Sequence, residues 1–575
     1  MKKSILGLTV FAFLIIINYT LAQEPNMDFE PGKLIIKTTQ SLNLQTIGNT
    51  GISSIDSLNN LYRVSLITQL FNSIGLDPQK LELYNQIGLG RIYVLTLPDT
   101  TDILEVVEVY KNLSEIEYAE PNMYLRPLDV YPCDELFQNG FQWSLYNRDS
   151  LIFWGCNKLR ADIKAPEAWQ IEKGDTNIIV GMVDTGIDRG WAEIHNRIWI
   201  NWVEKNGLPG VDDDNNGYVD DSLGWNFGNN SPVMVPILDY HGTHLSLIIG
   251  AESDSTNNCV DVAGINWKCK IMNLRVDGYV CYDDSCYYTI LTTSVADAIW
   301  YASRNGAKVI NLSLAYPFDP KVSLPDSLKT IGNALNFAYG IGVVSVAGMG
   351  NGYEPEDWYN YPAASSKTLA VGATNCKDNR VTKLTTYWES SHGLHIDLVA
   401  PGEWIWTGYD LHGDPFTEGT SASTAIVSGI ASLVITHRKR LIPNEVLTAE
   451  QIYEVLRHTA DDTVGHTYEY GDTLYPLEDT LCFDEFYGWG RANAFKALVA
   501  VSHGDVNNDS KIDMADIIYL INYLLKGGPP PVPVSDMADA NCDKKVSLSD
   551  IVFLINYVLK GGPPPSLCYT DCSQH

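Results

Sequence analysis

Positive charge is scarce in this chain of 575 residues, which has 39 lysine and arginine residues against 70 aspartate and glutamate residues. The formal net charge is −31, so its surface would repel the phosphates of nucleic acids and of anionic membranes. We therefore expect neither as a partner. Such an excess of carboxylates is compatible with bound calcium, which takes several oxygen ligands per ion.

Long apolar runs are missing from the chain after its N-terminal segment. No later stretch approaches 18 uninterrupted apolar residues. This pattern predicts no membrane span in the mature chain. At the N-terminus, Lys2 and Lys3 precede an apolar run at 5–17, and Thr20-Leu21-Ala22 supplies small residues before a cut. The pattern is typical of a signal peptide covering residues 1–22. The sequence predicts a secreted, extracellular product, either free or attached to the cell surface.

Redox-type and zinc-type cysteine spacings are also missing, because none of the 11 cysteines forms a CxxC pair. Cysteines in an exported chain predict disulfides, and the odd count leaves one thiol or an intermolecular bond. Cys281 and Cys286 are close in sequence, as are Cys568 and Cys572 in a tail at 566–575. Their pairing stays open.

The hydrophobic pattern divides the chain into successive folded segments. Residues 23–125 combine strands at 33–39 and 91–98 with a helical pattern between 102 and 113, which predicts a small α+β unit. Residues 130–500 alternate buried strands with helices. Near-continuous apolar runs at 177–186, 308–314 and 341–348, with a helix at 294–306, predict an α/β fold around a mostly parallel sheet.

The segment 503–565 contains a repeat. Acidic stretches begin at Asp505 and Asp539, 34 residues apart, and each precedes an amphipathic helix that ends at Lys-Gly-Gly-Pro-Pro-Pro. A 34-residue period also occurs in tetratricopeptide arrays, but carboxylates before a single helix do not fit them. The repeat predicts a small all-α module of two calcium loops, each followed by a helix.

Four polar residues stand where serine-dependent peptide hydrolysis needs them. Asp184 ends a buried strand, His241 opens an apolar helix, Ser421 begins another helix, and Asn351 follows a buried strand. The reaction requires a hydroxyl, a base, an acid that orients the base, and donors for the oxyanion. The Ser421 N–H, at a helix N-terminus, is expected to be one such donor.

The motifs around these residues resemble those of the subtilisin family. They are DTGID, HGTH, AGMGN and GTSAS, in a similarity that runs from residue 168 to residue 498. The resemblance implies a three-layer α/β fold around a mostly parallel sheet and a serine endopeptidase that cleaves proteins or peptides. Ser421 would be the nucleophile, His241 the general base and then acid, Asp184 the orienting carboxylate and Asn351 an oxyanion donor. The resemblance also implies four substrate-binding residues. Ser313, Leu314 and Ala315 would form a strand that pairs with the substrate backbone, and Gly350 would be the fourth.

Other readings stay open. The sequence departs from the family pattern after two motifs, at Leu245–Leu247, Ala422 and Ala425, and has Ala315 for a glycine. A decayed subtilase serving as a secreted adhesion or scaffold-binding protein is therefore the alternative. GTSAS also resembles the esterase elbow, whose acid and histidine follow the serine, as Asp461, Asp462 and His466 do here. His241 and His244 form at most part of a metal site.

Residues 23–125 resemble subtilisin-family prodomains, especially at 115–124. The resemblance implies a segment that assists folding, blocks the cleft and is removed by self-cleavage between residues 119 and 135. A permanent N-terminal binding domain is the alternative.

One candidate calcium loop lies inside the α/β segment. Asp212, Asp214, Asn216, the Tyr218 carbonyl and Asp220 stand at EF-hand positions 1, 3, 5, 7 and 9. Leu223 stands at position 12, so Asp221 is the expected substitute; a solvated acidic turn is the other interpretation.

The C-terminal repeats match the same spacing better and resemble type I dockerins. The ligands at positions 1, 3, 5, 7, 9 and 12 would be Asp505, Asn507, Asp509, Lys511 (carbonyl), Asp513 and Asp516, and Asp539, Asn541, Asp543, Lys545 (carbonyl), Ser547 and Asp550. Ser510 and Lys544 replace the usual glycine at position 6. The resemblance implies Ca²⁺ as cofactor and a cohesin-like or cell-surface scaffold as partner.

Overall fold

The chain forms two units, residues 1–128 and 129–575. The computed structural model describes residues 29–569 except 45–49, 72, 75–76, 99–100, 124–130, 148–159, 235–239, 254–260, 283–284, 322–327, 353–357, 384–385, 409–412, 414, 463–466, 471–472 and 477–482. The predicted signal peptide lies outside the described residues, as do part of the predicted processing window and the end of the cysteine-containing tail.

The N-terminal unit is a four-stranded antiparallel sheet with helices. The strands are β1 (Phe29–Thr38), β2 (Leu66–Gln69), β3 (Ile92–Thr96) and β4 (Ile116–Met123), in the order β2-β3-β1-β4; the helices are α1 (Ser53–Leu61), α2 (Pro78–Ile87) and α3 (Ile103–Lys111). Leu34 and Ile36 of β1 lie in one buried cluster with Val106 and Tyr110 of α3. The predicted α+β character is confirmed.

The second unit is built on a seven-stranded sheet in which every strand pair is parallel. Its strands are β5 (Ile179–Asp184), β6 (Trp225–Asn226), β7 (Lys270–Arg275), β10 (Val309–Leu312), β12 (Val344–Gly348), β14 (Leu369–Thr374) and β15 (Leu398–Pro401), in the order β15-β14-β12-β10-β5-β7-β6. Apolar clusters cover both faces, as the near-continuous apolar runs predict.

Two-stranded antiparallel sheets also form in the described part of the second unit. They are β8 (Asp277–Tyr282) with β9 (Ser285–Ile290), β11 (Tyr316–Phe318) with β13 (Tyr359–Tyr361), β16 (Ile405–Trp406) with β17 (Phe416–Thr417), and β18 (Thr467–Tyr470) with β19 (Thr473–Pro476). The segment 313–315, predicted to be a strand, lies between β10 and β11 and is in no strand. We attribute the difference to pairing, because a strand requires a hydrogen-bonded neighbour and the expected neighbour is a substrate chain.

Helices of the second unit contribute to both apolar clusters that cover the sheet. They are α4 (Glu135–Gln138), α5 (Ala165–Ala168), α6 (Ala192–His195), α7 (Trp202–Lys205), α8 (His241–Gly250), α9 (Thr292–Arg304), α10 (Lys329–Gly340), α11 (Thr420–Leu441), α12 (Ala449–His458), α13 (Ala494–Val501), α14 (Met514–Lys526) and α15 (Leu548–Lys560). Among the described residues, α11 alone is long and apolar enough to cross a membrane, but 89% of its apolar window is buried inside the fold. It is therefore a core helix.

The last two helices, α14 and α15, form the predicted all-α module around a small core that includes Ile517, Leu520, Ile551 and Leu554. Capping boxes start both helices, and a glycine in the left-handed region ends each one (φ 68° in both cases).

Candidate active site and acidic loops

A buried carboxylate and an imidazole are joined at the carboxyl edge of the parallel sheet. Asp184, the last residue of β5, is 2% exposed, and its Oδ1 accepts a hydrogen bond from His241 Nδ1 at 2.7 Å. Gly242 permits this approach, because a Cβ there would lie 3.2 Å from Asp184 Oδ1 and 2.5 Å from the carbonyl oxygen of Gly186. With Nδ1 donating to the carboxylate, the lone pair that can accept a proton is on Nε2.

Ser421 is the second residue of α11 and is half-buried, whereas the residues that follow it are buried. Gly419 precedes the helix with φ 117°, a conformation that side-chain-bearing residues rarely adopt. The carbonyl of Ser421 accepts a hydrogen bond from Ser313 Oγ at 3.1 Å. This bond links the start of α11 to the segment that follows β10.

Asn351 lies beside the same turn. Its Oδ1 accepts hydrogen bonds from Thr420 N at 3.0 Å and from Thr420 Oγ1 at 3.1 Å. These two bonds fix the orientation of the carboxamide, with its oxygen toward Thr420. The Nδ2 group, which carries the donor hydrogens, therefore lies on the other side of the carboxamide. The structure thus brings all four predicted catalytic residues to the sheet edge where β5, β10 and β12 end.

The predicted substrate-binding residues lie at the same edge. Ser313 and Leu314 are half-buried, and Ala315 is exposed. Gly350 has φ 104°, and a Cβ there would lie 2.1 Å from Asn360 Nδ2, so the backbone passes where no side chain fits.

Two of the competing residues, Asp461 and His244, have other partners. Asp461 forms ion pairs with Lys496 at 2.7 Å and Arg491 at 2.9 Å, which is a structural role; His466 lies outside the described residues. The Nδ1 atom of buried His244 is hydrogen-bonded to Thr407 Oγ1. These contacts favour neither the esterase arrangement nor a metal shared by His241 and His244.

The acidic loop that starts at Asp212 wraps around a carboxylate that sequence reasoning missed. Glu204 Oε1 accepts from Asp213 N at 2.6 Å and Asp214 N at 3.0 Å, and its Oε2 accepts from Asp220 N at 3.0 Å. Carboxylate oxygens of Glu204, Asp214 and Asp221 lie within 4.8 Å of one another. No spacing rule points to Glu204, because it precedes the loop on α7.

Most other predicted members of this loop face inward. Asp212 accepts from Asn216 N at 3.0 Å and Gly217 N at 2.8 Å, and Tyr218 N donates to Asn216 Oδ1 at 2.8 Å. The exception is Asp220, which has φ 59° and whose carboxylate accepts from Gly210 N at 2.8 and 3.1 Å.

Each C-terminal loop folds around its first and last acids. Asp505 accepts from Asp509 N at 3.0 Å and Ser510 N at 2.9 Å. Asp516 Oδ1 accepts from Val506 N and Asn507 N at 2.8 and 3.2 Å, and its Oδ2 accepts from Asp513 N at 2.8 Å.

These Asp516 bonds go to positions 2, 3 and 9 of the loop, the three positions that Glu204 binds in the loop starting at Asp212.

The second repeat has the same pattern. Asp539 accepts from Asp543 N at 3.1 Å and Lys544 N at 2.8 Å, and Asp550 accepts from Asn541 N at 3.2 Å and Ser547 N at 2.8 Å. Ser510 and Lys544 have φ 64° and 66°, so both take the left-handed conformation for which glycine is usual at position 6.

The electrostatics of these loops fit a hard cation. Burial, with help from neighbouring acids, raises the pKa of Asp505 to about 7 and that of Asp516 to about 6. Burial also raises the pKa of Asp221 and that of Asp550. Oxygen-only donor sets of crowded carboxylates are what calcium prefers.

Comparison with known proteins finds three matching family models along the chain. The Subtilase family matches residues 175–490, the Dockerin type I domain residues 503–559, and the Fervidolysin N-terminal prodomain residues 80–122. The chain is 29% identical to thermitase of Thermoactinomyces vulgaris over 58% of this chain and 93% of that protein. It is 28% identical to the thermophilic serine proteinase of Bacillus sp. (strain AK1), over 63% and 71%. It is 29% identical to the cell wall-associated protease of Bacillus subtilis, over 68% and 37%.

Proposed function

Because the chain belongs to the subtilase family of serine proteases, we propose that it is a secreted endopeptidase with Asp184, His241 and Ser421 as its catalytic triad. The observation that carries the proposal is the 2.7 Å hydrogen bond between His241 Nδ1 and the buried Asp184.

In the proposed mechanism, Ser421 Oγ attacks the scissile carbonyl carbon while His241 Nε2 takes the hydroxyl proton. The carbonyl π electrons move to oxygen, and the oxyanion accepts hydrogen bonds from Asn351 Nδ2 and Ser421 N–H. Collapse of this intermediate expels the amine, which receives the proton from His241, and leaves an acyl ester on Ser421. Water, deprotonated by His241, then hydrolyses the ester. The Asp184 carboxylate stabilises the imidazolium that forms in both halves.

Substrate would bind along the segment 313–315. Among the described residues, this segment follows β10 and belongs to no strand, and the hydrogen bond from Ser313 to the carbonyl of Ser421 supports a position beside the proposed nucleophile. An extended peptide that pairs with this segment gains affinity from main-chain hydrogen bonds, which every peptide sequence can form. The proposed substrates are therefore proteins or peptides in extended conformation.

The N-terminal unit would make the enzyme a precursor. Its fold and its match to a protease prodomain support an inhibitory and folding-assisting role. We place self-cleavage between residues 119 and 135.

The departures from the family pattern at four of these positions are compatible with an active enzyme. Leu245, Leu247, Ala422 and Ala425 are at most 1% exposed and belong to a single apolar cluster beneath the site. Their side chains therefore change the packing of the core, and none of them supplies or removes a proton-transferring group.

Fluorophosphonate labelling of the calcium-loaded, processed protein tests the proposed activity. An activated serine reacts with the phosphorus, so we expect one covalent adduct, mapped by mass to Ser421. Ser421→Ala is the control for selectivity, and the hydrolysis of a casein substrate is measured in parallel.

Processed protein that takes up no label and leaves casein intact would refute the proposed activity and favour the alternative, a decayed subtilase that serves as a secreted adhesion or scaffold-binding protein.

Calcium is the proposed cofactor of three loops. When bound, the ion neutralises the crowded carboxylates. In the loop starting at Asp212, the holding residues would be Asp212, Asp214, Asn216, Glu204 and Asp221, with the Tyr218 carbonyl. In the C-terminal module they would be the residues predicted from the repeat.

Replacement of Glu204 by glutamine is expected to weaken one calcium site by at least about 10-fold, the scale for loss of even an outer-shell partner. The amide keeps the shape but loses the negative charge and one oxygen ligand. Equilibrium dialysis should show one fewer tight calcium ion per chain, and the thermal midpoint in calcium should fall. Glu252→Gln, which alters a half-exposed acid paired with Arg197, is the matched control. Unchanged stoichiometry and midpoint would refute the role of Glu204.

The C-terminal module is proposed to attach the enzyme to a cohesin-like or cell-surface scaffold. Its two helices expose apolar side chains at equivalent repeat positions, which are Met514 and Leu548, Ile518 and Val552, and Leu525 and Leu559. Exposed apolar positions of this kind are available to a protein partner.

A further inference from the structure

The junction between the protease fold and the C-terminal module contains no flexible spacer. Helix α13 ends at Val501, and the first calcium-loop residue, Asp505, follows after three residues. All three are buried, with Ser502 at 0% and His503 at 5% exposure. Ser502 Oγ is hydrogen-bonded to His437 Nε2 of the core helix α11 at 2.9 Å. The module therefore starts inside the protease core.

The tail after α15 returns to the protease fold. Arg438, a residue of α11 that is 1% exposed, donates from Nη2 to the carbonyl of Pro565 at 2.6 Å. Cys568 N donates to the carbonyl of Ala500 at 3.0 Å, near the end of α13. The ring of Tyr569 stacks on His458 of α12, with 5.1 Å between centroids. A buried guanidinium requires such acceptors, so this contact is part of the folded protease.

The residue at position 4 of each proposed calcium loop is bonded outside its loop. Position 4 is Asn508 in the first loop and Cys542 in the second, with φ 56° and 58°. Asn508 Nδ2 donates to the carbonyl of Gln170 in the protease fold at 3.1 Å. Cys542 forms a disulfide with Cys568, and His503 Nδ1 donates to the carbonyl of Asp539 at 2.8 Å.

We propose that the C-terminal module is a calcium-operated clamp on the protease domain of the same chain. The inference rests on the proposed calcium binding and goes beyond it. An ion that closes the first loop holds Asn508 against Gln170 of the protease fold. An ion that closes the second loop holds Cys542, whose disulfide partner Cys568 lies in the tail that contacts α12 and α13, so opening of these helices requires release of calcium. A ligand that binds only the closed state stabilises whatever opens with it. The exposed stripes of α14 and α15 stay free for a scaffold.

Amide hydrogen exchange on the processed, fluorophosphonate-inactivated enzyme, with its C-terminal module intact, tests the clamp. Exchange in α13 is measured in calcium and in EDTA, with α14 and α15 as the report on the module itself. At calcium about 100 times the Kd, we expect exchange in α13 to slow by up to roughly 100-fold.

A contact-breaking variant separates the clamp from calcium binding elsewhere. Asn508→Ala combined with Cys542→Ser and Cys568→Ser keeps every proposed calcium ligand. In this variant α14 and α15 should still gain protection from calcium, while the response of α13 falls by about 10-fold or more. Lys511→Ala with Lys545→Ala, which retains both carbonyl ligands, is the control and should behave as the parent chain does.

Calcium-dependent protection of α14 and α15 with no response in α13 of the parent chain would overturn the clamp and leave calcium binding intact. An equal response of α13 in the parent and the contact-breaking variant would overturn it as well. Absence of calcium-dependent protection in α14 and α15 would reject calcium binding by the module, and the clamp with it.

Discussion

Replacement of Ser421 by alanine is expected to lower kcat by roughly 10⁶-fold, the scale set by another subtilisin-type enzyme. The variant keeps the oxyanion donors and the substrate segment but has no nucleophile for an acyl-enzyme. Under the proposed self-processing, the same variant should accumulate as a folded precursor that retains residues 23–125. Turnover of a chromogenic peptide measures the first effect, and N-terminal sequencing of the purified chain measures the second.

Ser366→Ala, at an exposed turn remote from the site, is the matched control and should be processed and active. If Ser421→Ala appeared with a processed N-terminus while other proteases were excluded, self-cleavage would be wrong. Residual turnover within 100-fold of the parent enzyme would remove Ser421 from the role of nucleophile.

Replacement of Asp184 by asparagine is expected to lower kcat by about 10⁴-fold. An amide in this buried position can donate to His241 Nδ1, which would put the imidazole proton on Nε2. That nitrogen then cannot take the proton of Ser421. The fold should survive, because the side chain keeps its shape and the turn to nitrogen costs one local bond, that from Thr185 N, which donates to Asp184 Oδ1 at 2.8 Å.

Asp188→Asn provides the comparison, since Asp188 lies four residues away and its Oδ1 accepts from Gly190 N, not from a histidine. We expect this variant to stay within a few-fold of the parent enzyme in kcat/KM, with the same circular dichroism spectrum. A loss of less than 10-fold in Asp184→Asn would argue against its role in orienting the base.

Fold class and the candidate catalytic positions were open to prediction from sequence because both depend on local order. Apolar runs such as 341–348 predict strands buried on both faces, and the strand observed there is Val344–Gly348. The calcium-loop spacing in the C-terminal repeats likewise places all expected ligands within 12 consecutive residues. A short loop leaves few ways to arrange them, so spacing alone is enough to predict such a loop.

Glu204 shows where such reasoning ends. It makes the same three backbone contacts as Asp516, but it precedes its loop, and only the tertiary fold brings α7 against that loop. Asp220 stands at an expected ligand position, yet its positive φ turns the carboxylate to Gly210.

By itself, the sequence determined the kind of elements, the spacing of each acidic loop, and the residue types that serine chemistry requires. The tertiary structure decided which distant groups meet: His241 with Asp184 across 57 residues, and Arg438 with the Pro565 carbonyl across 127. The reason is physical. Local order follows from backbone geometry and side-chain periodicity over a few residues, whereas these contacts form only when burial of the whole core brings separate segments together.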